Sequence, residues 1–299
     1  MNNILCHLIR HYINPPFCVS LEVHNKSTAA RKYDEYKKYR LLGKLIKELK
    51  LKYTPAELYN LEKLHLSYTN LDNLPESIGL LHNLRGLYLN NNKFSSLPES
   101  IRQLHNLREL NLNYNNLCSL PESICQLHNL QTLYLHNNKL NSLPESIGQL
   151  HNLQELYLDN NNLHSLPESI CQLHNLQILY LHDNKLSSLP ESIGQLRNLQ
   201  RLNIDSNDNL HSLPESIGQL HNLQVLFLSY NKLNNLPENI GQLHNLQRLD
   251  IDSNDNLNSL PESIGNLPNL RFISINNRQR YIINENIKQN TKIKIGEYF

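Results

Sequence analysis

The chain has 299 residues, with 28 Lys and Arg against 27 Asp and Glu, so its net charge is close to zero. Near-neutrality without a long single-sign run excludes a strong non-specific hold on nucleic acid, which draws its affinity from many phosphate contacts. No apolar stretch approaches the roughly 20 residues that a membrane span needs, and His7, Arg10 and His11 break the N-terminus where a secretory leader would be apolar.

Residues 1–26 are the least readable part, an N-terminal segment of unknown role with a short helix, a turn at Pro15-Pro16 and a strand. Residues 27–50 read as an amphipathic helix whose apolar side holds Tyr36, Leu42, Leu45, Ile46 and Leu49. A competing reading makes Ile46-Lys-Glu-Leu49-Lys-Leu51 a degenerate strand, and the pattern alone leaves both open. Thr54-Pro55-Ala56-Glu57 has the form of a capping box that opens a second short helix. Residues 27–60 are thus expected to form a helical N-terminal cap.

From Leu61 a block of about 23 residues recurs, written L-x-x-L-x-L-x-x-N-x-L-x-x-L-P-E-S-I-x-x-L-x-x, with copies starting at Leu61, Leu84, Leu107, Leu130, Leu153, Leu176, Leu199, Leu223, Leu246 and Leu270. This is the signature of a leucine-rich repeat solenoid: an α/β horseshoe with a parallel β-sheet on its concave face and short helical turns on its convex face. In Leu84-Arg-Gly-Leu87-Tyr-Leu89 the period of two sends Leu87 and Leu89 inward and Gly86 and Tyr88 outward. Asn92, Asn115, Asn138, Asn161, Asn184, Asn207, Asn231 and Asn254 follow the strands as a structural ladder, where a buried amide can satisfy backbone groups of two copies. Pro-Glu-Ser-Ile then starts a helical turn, with proline expected at the first helical position and glutamate at the positive dipole end. Two copies carry one extra residue, Asn207-Asp208-Asn209-Leu210 and Asn254-Asp255-Asn256-Leu257, which reads as a bulged turn. About ten copies fill residues 61–292, and residues 293–299 form a C-terminal cap in which Lys292 to Ile295 read as a closing edge strand.

Cys125 and Cys171 occupy the slot that holds Gly148, Gly194 or Gly218 in other copies. Two copies apart on strands about 4.8 Å from one another, they are too distant for a disulfide. Buried thiols in a reducing compartment follow, so an intracellular, cytoplasmic location is expected.

Comparing copies separates scaffold from surface. The residue between the last two strand leucines varies, and it is Tyr88, Tyr134, Tyr157, Tyr180 or Phe227 in five of ten copies. Tyr114 and Tyr230 flank this line, together with Arg201 and Arg248 among several acids. Tyrosine and arginine are frequent interface hot spots, which makes these nine residues the candidate protein-binding face. The plainer reading is that tyrosine suits exposed strands and was copied by duplication. Arg201 and Arg248 read equally as anchors or as internally neutralised charges. The recurring histidines of Leu-His-Asn-Leu read as a solvated repeat position, so no metal site is expected. Phosphate-binding loops, dinucleotide fingerprints and hydrolase motifs are absent from the sequence, and neither catalytic residues nor a cofactor are expected.

The Leu-Pro-x-x-Ile-x-x-Leu outer half joined to Leu-x-x-Leu-x-Leu-x-x-Asn-x-Leu resembles the Ras-group intracellular leucine-rich repeat scaffolds, from Leu61 to about Ile287. The resemblance implies a non-catalytic module that binds a protein through its concave face, with a small GTPase or signalling protein as the class of partner and a monomeric state. It covers nothing before residue 61. The alternative is the substrate-recognition adaptor of a multi-subunit enzyme such as a ubiquitin ligase, docked through residues 1–60.

Overall fold

The computed structural model describes residues 26–290 and 292–296. The helix, Pro15-Pro16 turn and strand expected before residue 26 lie outside the described residues, as do Cys6 and Cys18. Among the described residues each copy contributes one three-residue strand. These are β1 (Lys63–His65), β2 (Gly86–Tyr88), β3 (Glu109–Asn111), β4 (Thr132–Tyr134), β5 (Glu155–Tyr157), β6 (Ile178–Tyr180), β7 (Arg201–Asn203), β8 (Val225–Phe227), β9 (Arg248–Asp250) and β10 (Phe272–Ser274), followed by β11 (Lys294–Gly296). They form one parallel sheet in sequence order, open at both ends. Equivalent residues pair, so Leu133 faces Leu156 and Tyr157 faces Tyr180 across neighbouring strands. Leu133, Leu156 and Leu179, at the strand centres, are fully buried and belong to one continuous core. Each such leucine contributes about 1.5–3 kcal/mol by leaving water.

The asparagine ladder ties the copies together after the strands. Asn161 is 8 % exposed. Its Nδ2 donates to the carbonyls of Leu135 (3.0 Å), Leu158 (2.9 Å) and Asp159 (3.2 Å), and its Oδ1 accepts from Leu140 N–H at 3.0 Å. The same pattern recurs at Asn115, Asn138 and Asn184. A second ladder, not foreseen from the sequence, stands in the Leu-His-Asn-Leu segments. There Asn152 Nδ2 donates to the His128 carbonyl at 2.7 Å, and Asn175 to that of His151 at 2.8 Å. The invariance of that asparagine between copies was its signal; the neighbouring histidine drew the attention instead.

In the first nine copies the outer half is a 3-10 turn rather than an α-helical one, closed by bonds such as Ile124 N–H to the Pro121 carbonyl (3.0 Å). Proline stands at the N-cap of seven of these turns, not at the expected first helical position, and Ser146 and Ser192 stand there in the other two. Pro121 is extended (φ −69, ψ 146), because the turn closes on the proline's own carbonyl. The slot shared by glycine and cysteine faces the next copy. A Cβ on Gly148 would lie 2.2 Å from the Ser169 carbonyl oxygen, too close for any side chain. Cys125, Cys171 and Arg102 fill this slot in three copies; the next turn is short after the two cysteines, Ile147–Gln149 and Ile193–Gln195, and full length after Arg102, Glu122–Gln126. Glutamates tie the short turns to the copy before: Glu145 N–H and the Ser146 hydroxyl donate to Glu122, and Glu191 N–H to Glu168. Burial pushes both thiols up, Cys171 to about 12 with help from the Glu168 carboxylate, so neither is a thiolate at neutral pH.

At the N-terminal end, helix α1 (Lys26–Glu48) buries Leu42 and Leu45 in the core, and Leu49 just after it is buried there too. The competing strand reading of residues 46–51 is overturned. Lys50 turns left-handed (φ 52), and Leu51 N–H reaches back to the Ile46 carbonyl at 2.9 Å, a helix-ending motif whose apolar pair, Ile46 and Leu51, packs against the core. The capping box is present: Thr54 N–H donates to Glu57 Oε2 at 2.7 Å, and Glu57 N–H to Thr54 Oγ1 at 3.3 Å, opening α2 (Pro55–Tyr59). The two longer copies each form the expected turn, with Leu210 N–H bonded to Asn207 and Leu257 N–H to Asn254, both at 2.9 Å. At the far end Asn284 caps α3 (Glu285–Gln289), and β11 pairs in parallel with β10, starting two residues later and ending one later than the expected Lys292 to Ile295. Among the described residues no helix is long and apolar enough to cross a membrane.

Candidate protein-binding face

Strand alternation sends the residue between the inward leucines to the concave face. Tyr88, Tyr134, Tyr157, Tyr180 and Phe227 all stand there, half-buried. Asn111 and Asn203 divide them into three groups. His65 stacks on Tyr88, with ring centres 4.4 Å apart. Tyr134 stacks on Tyr157 at 4.9 Å, and Tyr180 meets Tyr157 edge-on at 5.3 Å. Phe227 lies beneath the Arg248 guanidinium. The hydroxyls are anchored too, Tyr88 donating to Glu109 Oε2 at 2.6 Å and Tyr157 to Glu155 Oε2 at 2.9 Å. Burial first, then the Glu109 bond and charge, pushes Tyr88 to about 12. Burial also raises Tyr134 and Tyr157. The row therefore presents neutral, pre-ordered rings. In the last two copies the same slot holds Asp250 and Ser274, both fully buried, so the aromatic surface ends at Phe227.

Tyr114 and Tyr230 stand at the strand exits, 50 % and 55 % exposed, with φ of 55° and 56°. Asn91, Asn137 and Asn160 take that left-handed position in other copies, where asparagine is at ease and tyrosine is strained. Tyr68 shares the conformation and, with Tyr114, borders an open depression of about 420 Å³ lined also by Asn91 and Lys93.

The two arginines differ. Arg201 is exposed. Arg248 binds Asp250 through two nitrogens, at 2.8 Å from Nη2 and 2.9 Å from Nε, and lies over Phe227 (5.4 Å) and Phe272 (5.0 Å). Its charge is thus matched within the fold, as one of the two sequence readings had it.

A second row reaches the concave side two residues further on: His136, Asp159, His182, Asp205, Ser229 and Asp252. The L-x-L-x-x-N spacing, which turns this position outward as well, was the available signal for the row. His182 Nε2 lies 3.5 Å from Asp159 Oδ2. His136 is lowered by burial and by His182, against the raising effect of Asp159. Asp205 accepts from Ser229 N–H at 2.6 Å. Burial pushes it up to about 7, the charges of Asp250 and Asp183 add to the rise, and the Ser229 bond and Arg248 oppose it.

That shift has a signed consequence. A folded-state pKa above the ordinary carboxylate value means that the stability linked to Asp205 is complete below about pH 4. It is lost as the pH rises to about 7. Asp205→Asn, which keeps an acceptor for Ser229, is expected to match the wild type in urea denaturation at about pH 4 and to exceed it at about pH 8. A gain of the same size at both pH values would refute the assignment.

Models of known families match residues 99–163, 156–227 and 202–294 as a leucine-rich repeat region, and residues 59–117 as a leucine rich repeat. Comparison with curated proteins returns no match. Among solved structures, a leucine-rich repeat protein of Leptospira interrogans is 31 % identical, with 81 % of this chain and 79 % of that chain covered and a TM-score of 0.51. The plant peptide hormone receptor RGFR1, solved in complex with RGF2, is 27 % identical, with 80 % and 44 % covered and a TM-score of 0.58. The leucine-rich repeat domain of the type III effector XopL is 24 % identical over 99 % and 95 % of the two chains, with a TM-score of 0.66, and shows likeness of fold alone. With family models spanning most of the copies and the Leptospira protein alike over four fifths of the chain, this protein belongs to the leucine-rich repeat family.

Proposed function

We propose that the chain is a non-catalytic recognition module that binds a protein partner through its concave face, in intracellular signalling of the kind served by the Ras-group scaffolds. The observation that carries this reading is the ordered aromatic row. Tyr134, Tyr157 and Tyr180 are packed ring against ring yet remain partly exposed, so they can bind with little further loss of side-chain freedom. Tyr88 and Phe227 extend the row, Tyr114 and Tyr230 supply exposed rings at its rim, and Arg201 and Arg248 flank its C-terminal end. Two tyrosines held in a strained backbone conformation also speak for a role other than stability. A structural neighbour, the receptor RGFR1, is in complex with RGF2. In this reading residues 27–60 cap a repeat array of residues 61–292, residues 293–299 close it, and the protein acts as a monomer on a small GTPase or another signalling protein.

The test is affinity capture from cell extract with the wild type and with Tyr134, Tyr157 and Tyr180 all changed to alanine. Hot-spot truncation of this kind costs more than about 2 kcal/mol, so partner recovery is expected to fall roughly thirty-fold or more. Circular dichroism of the variant checks that the solenoid is intact. Equal recovery by an intact variant would overturn the concave-face assignment.

A further inference from the structure

We infer that the C-terminal half of the concave face receives a basic side chain of the partner, an arginine or lysine, seated over Ser229 between Asp205 and Asp252. The inference rests on the concave-face reading and names the chemistry that this part of the face recognises. Ser229 sits between the two aspartates in successive copies of the same row, with its backbone N–H bonded to Asp205. It is 1 % exposed, and its hydroxyl has no hydrogen-bond partner, although nearly all buried polar atoms find one. Asp205 takes the Ser229 N–H and Asp252 the Ser253 hydroxyl (3.1 Å), so an unpartnered hydroxyl between two acid positions of one row is what a multi-donor cation would satisfy.

The charge balance points the same way. The second row and the strand exits beside it hold Asp159, Asp183, Asp205 and Asp252 over five copies, and neither position carries a lysine or arginine there. The cation that lowers Asp205 is Arg248, and Arg248 is engaged with Asp250 in a two-nitrogen pair. Arg201 is exposed on the far side of the central row. Burial first, and the charges of Asp250 and Asp183 after it, make the charged form of Asp205 costly in the free protein, whereas Asp159 has His182 beside it at 3.5 Å. A cost of this sort is retained where function uses it, and a guanidinium entering from a partner would lift it. Phe227, the last residue of β8 and two residues before Ser229, gives the aliphatic stem of such a side chain an apolar wall.

The probe is a fluorescein-labelled, capped hexa-arginine peptide, titrated into the full chain at about pH 7.5 in low salt and followed by anisotropy. The outer edge of the solenoid carries its own acidic row, including Glu191, Glu215 and Glu238, and serves as the internal comparison. Asp205→Asn with Asp252→Asn is expected to weaken binding by about ten-fold or more, since the groups removed are largely desolvated. Glu191→Gln with Glu215→Gln and Glu238→Gln, all at exposed positions, is expected to change it by less than about two-fold. Losses of equal size in both variants, or a larger loss in the glutamate variant, would overturn the inference. So would undiminished binding by the aspartate variant. Asp183→Asn is a second arm that cannot fail through misfolding, because asparagine is at home at that left-handed position; it too is expected to weaken the peptide. A failure here leaves the tyrosine capture experiment intact, because that experiment reads Tyr134, Tyr157 and Tyr180 and not these carboxylates.

Discussion

Asn161→Ala is expected to lower the stability of the solenoid by about 4 kcal/mol, read as a fall in the urea midpoint. The loss is large because one amide serves four backbone groups in two copies. They do not suffer equally. The Leu135 carbonyl keeps a bond from Asn138, the Leu158 carbonyl one from Asn184, and the Asp159 carbonyl one from Asn137 N–H. Leu140 N–H has no substitute and is left buried and bare, a penalty of about 1–3 kcal/mol. The three weakened carbonyls add about 1 kcal/mol each at most. Stability in a repeat array is a sum over neighbours, so the lesion lies between the fourth and fifth copies, where amide exchange should rise first. Asn152→Ala, in the outer ladder, loses one bond at an exposed site and is the built-in comparison. Equal midpoints for Asn161→Ala and the wild type would refute the ladder's role.

Gly148→Val is the second large effect, expected at about 3 kcal/mol, the upper end of what overpacking costs. The clash is with backbone rather than with the tip of a flexible side chain: Cβ would come 2.2 Å from the Ser169 carbonyl oxygen and 3.0 Å from its carbon. The neighbouring copy can therefore yield only by moving its main chain. Cys125, Cys171 and Arg102 fill the slot in other copies, with a short turn after the two cysteines and a full-length one after Arg102, so the fit is set copy by copy. After Gly148 the full-length turn Glu168–Gln172 brings the Ser169 carbonyl against the slot. Cys125→Gly should by contrast be mild, since it removes a small side chain. Denaturant unfolding of both variants decides the matter; a Gly148→Val protein as stable as the wild type would show that the slot is not closed.

The repeat plan was legible because every copy imposes the same environment on the same position. Leu156 is buried for the reason that Leu133 and Leu179 are, and ten repetitions of a pattern outweigh any local ambiguity. The aromatic candidates were legible for the converse reason, as variation against a fixed frame. Less was legible where one part of the chain bears on the next. The spacing of residues 46–51 allows both a helix and a strand; the helix forms, Lys50 turning left-handed ends it, and Ile46 and Leu51 pack on the core at that ending. The left-handed strand exits were invisible in Tyr114 and Tyr230 themselves, since tyrosine is a poor residue for that conformation; the asparagines in other copies were the clue. Strand alternation predicts an exposed central slot in every copy, yet Asp250 and Ser274 in it are buried.

The sequence by itself determined the architecture: one strand, one buried asparagine and one proline-led turn per copy, stacked in order, with tyrosines on the face where side chains vary. A repeating chain settles these things because hydrophobic period and backbone hydrogen bonding are local demands, met in the same way each time. Only the tertiary structure decided which charges remain unmatched. Arg248 could have served any of several aspartates and is held by Asp250, which leaves Asp205 beside Asp183 with its carboxyl raised to about 7. Pairings of that kind are made through space between copies, in a medium whose polarity depends on burial, and neither distance nor burial is written in the spacing of residues along one strand.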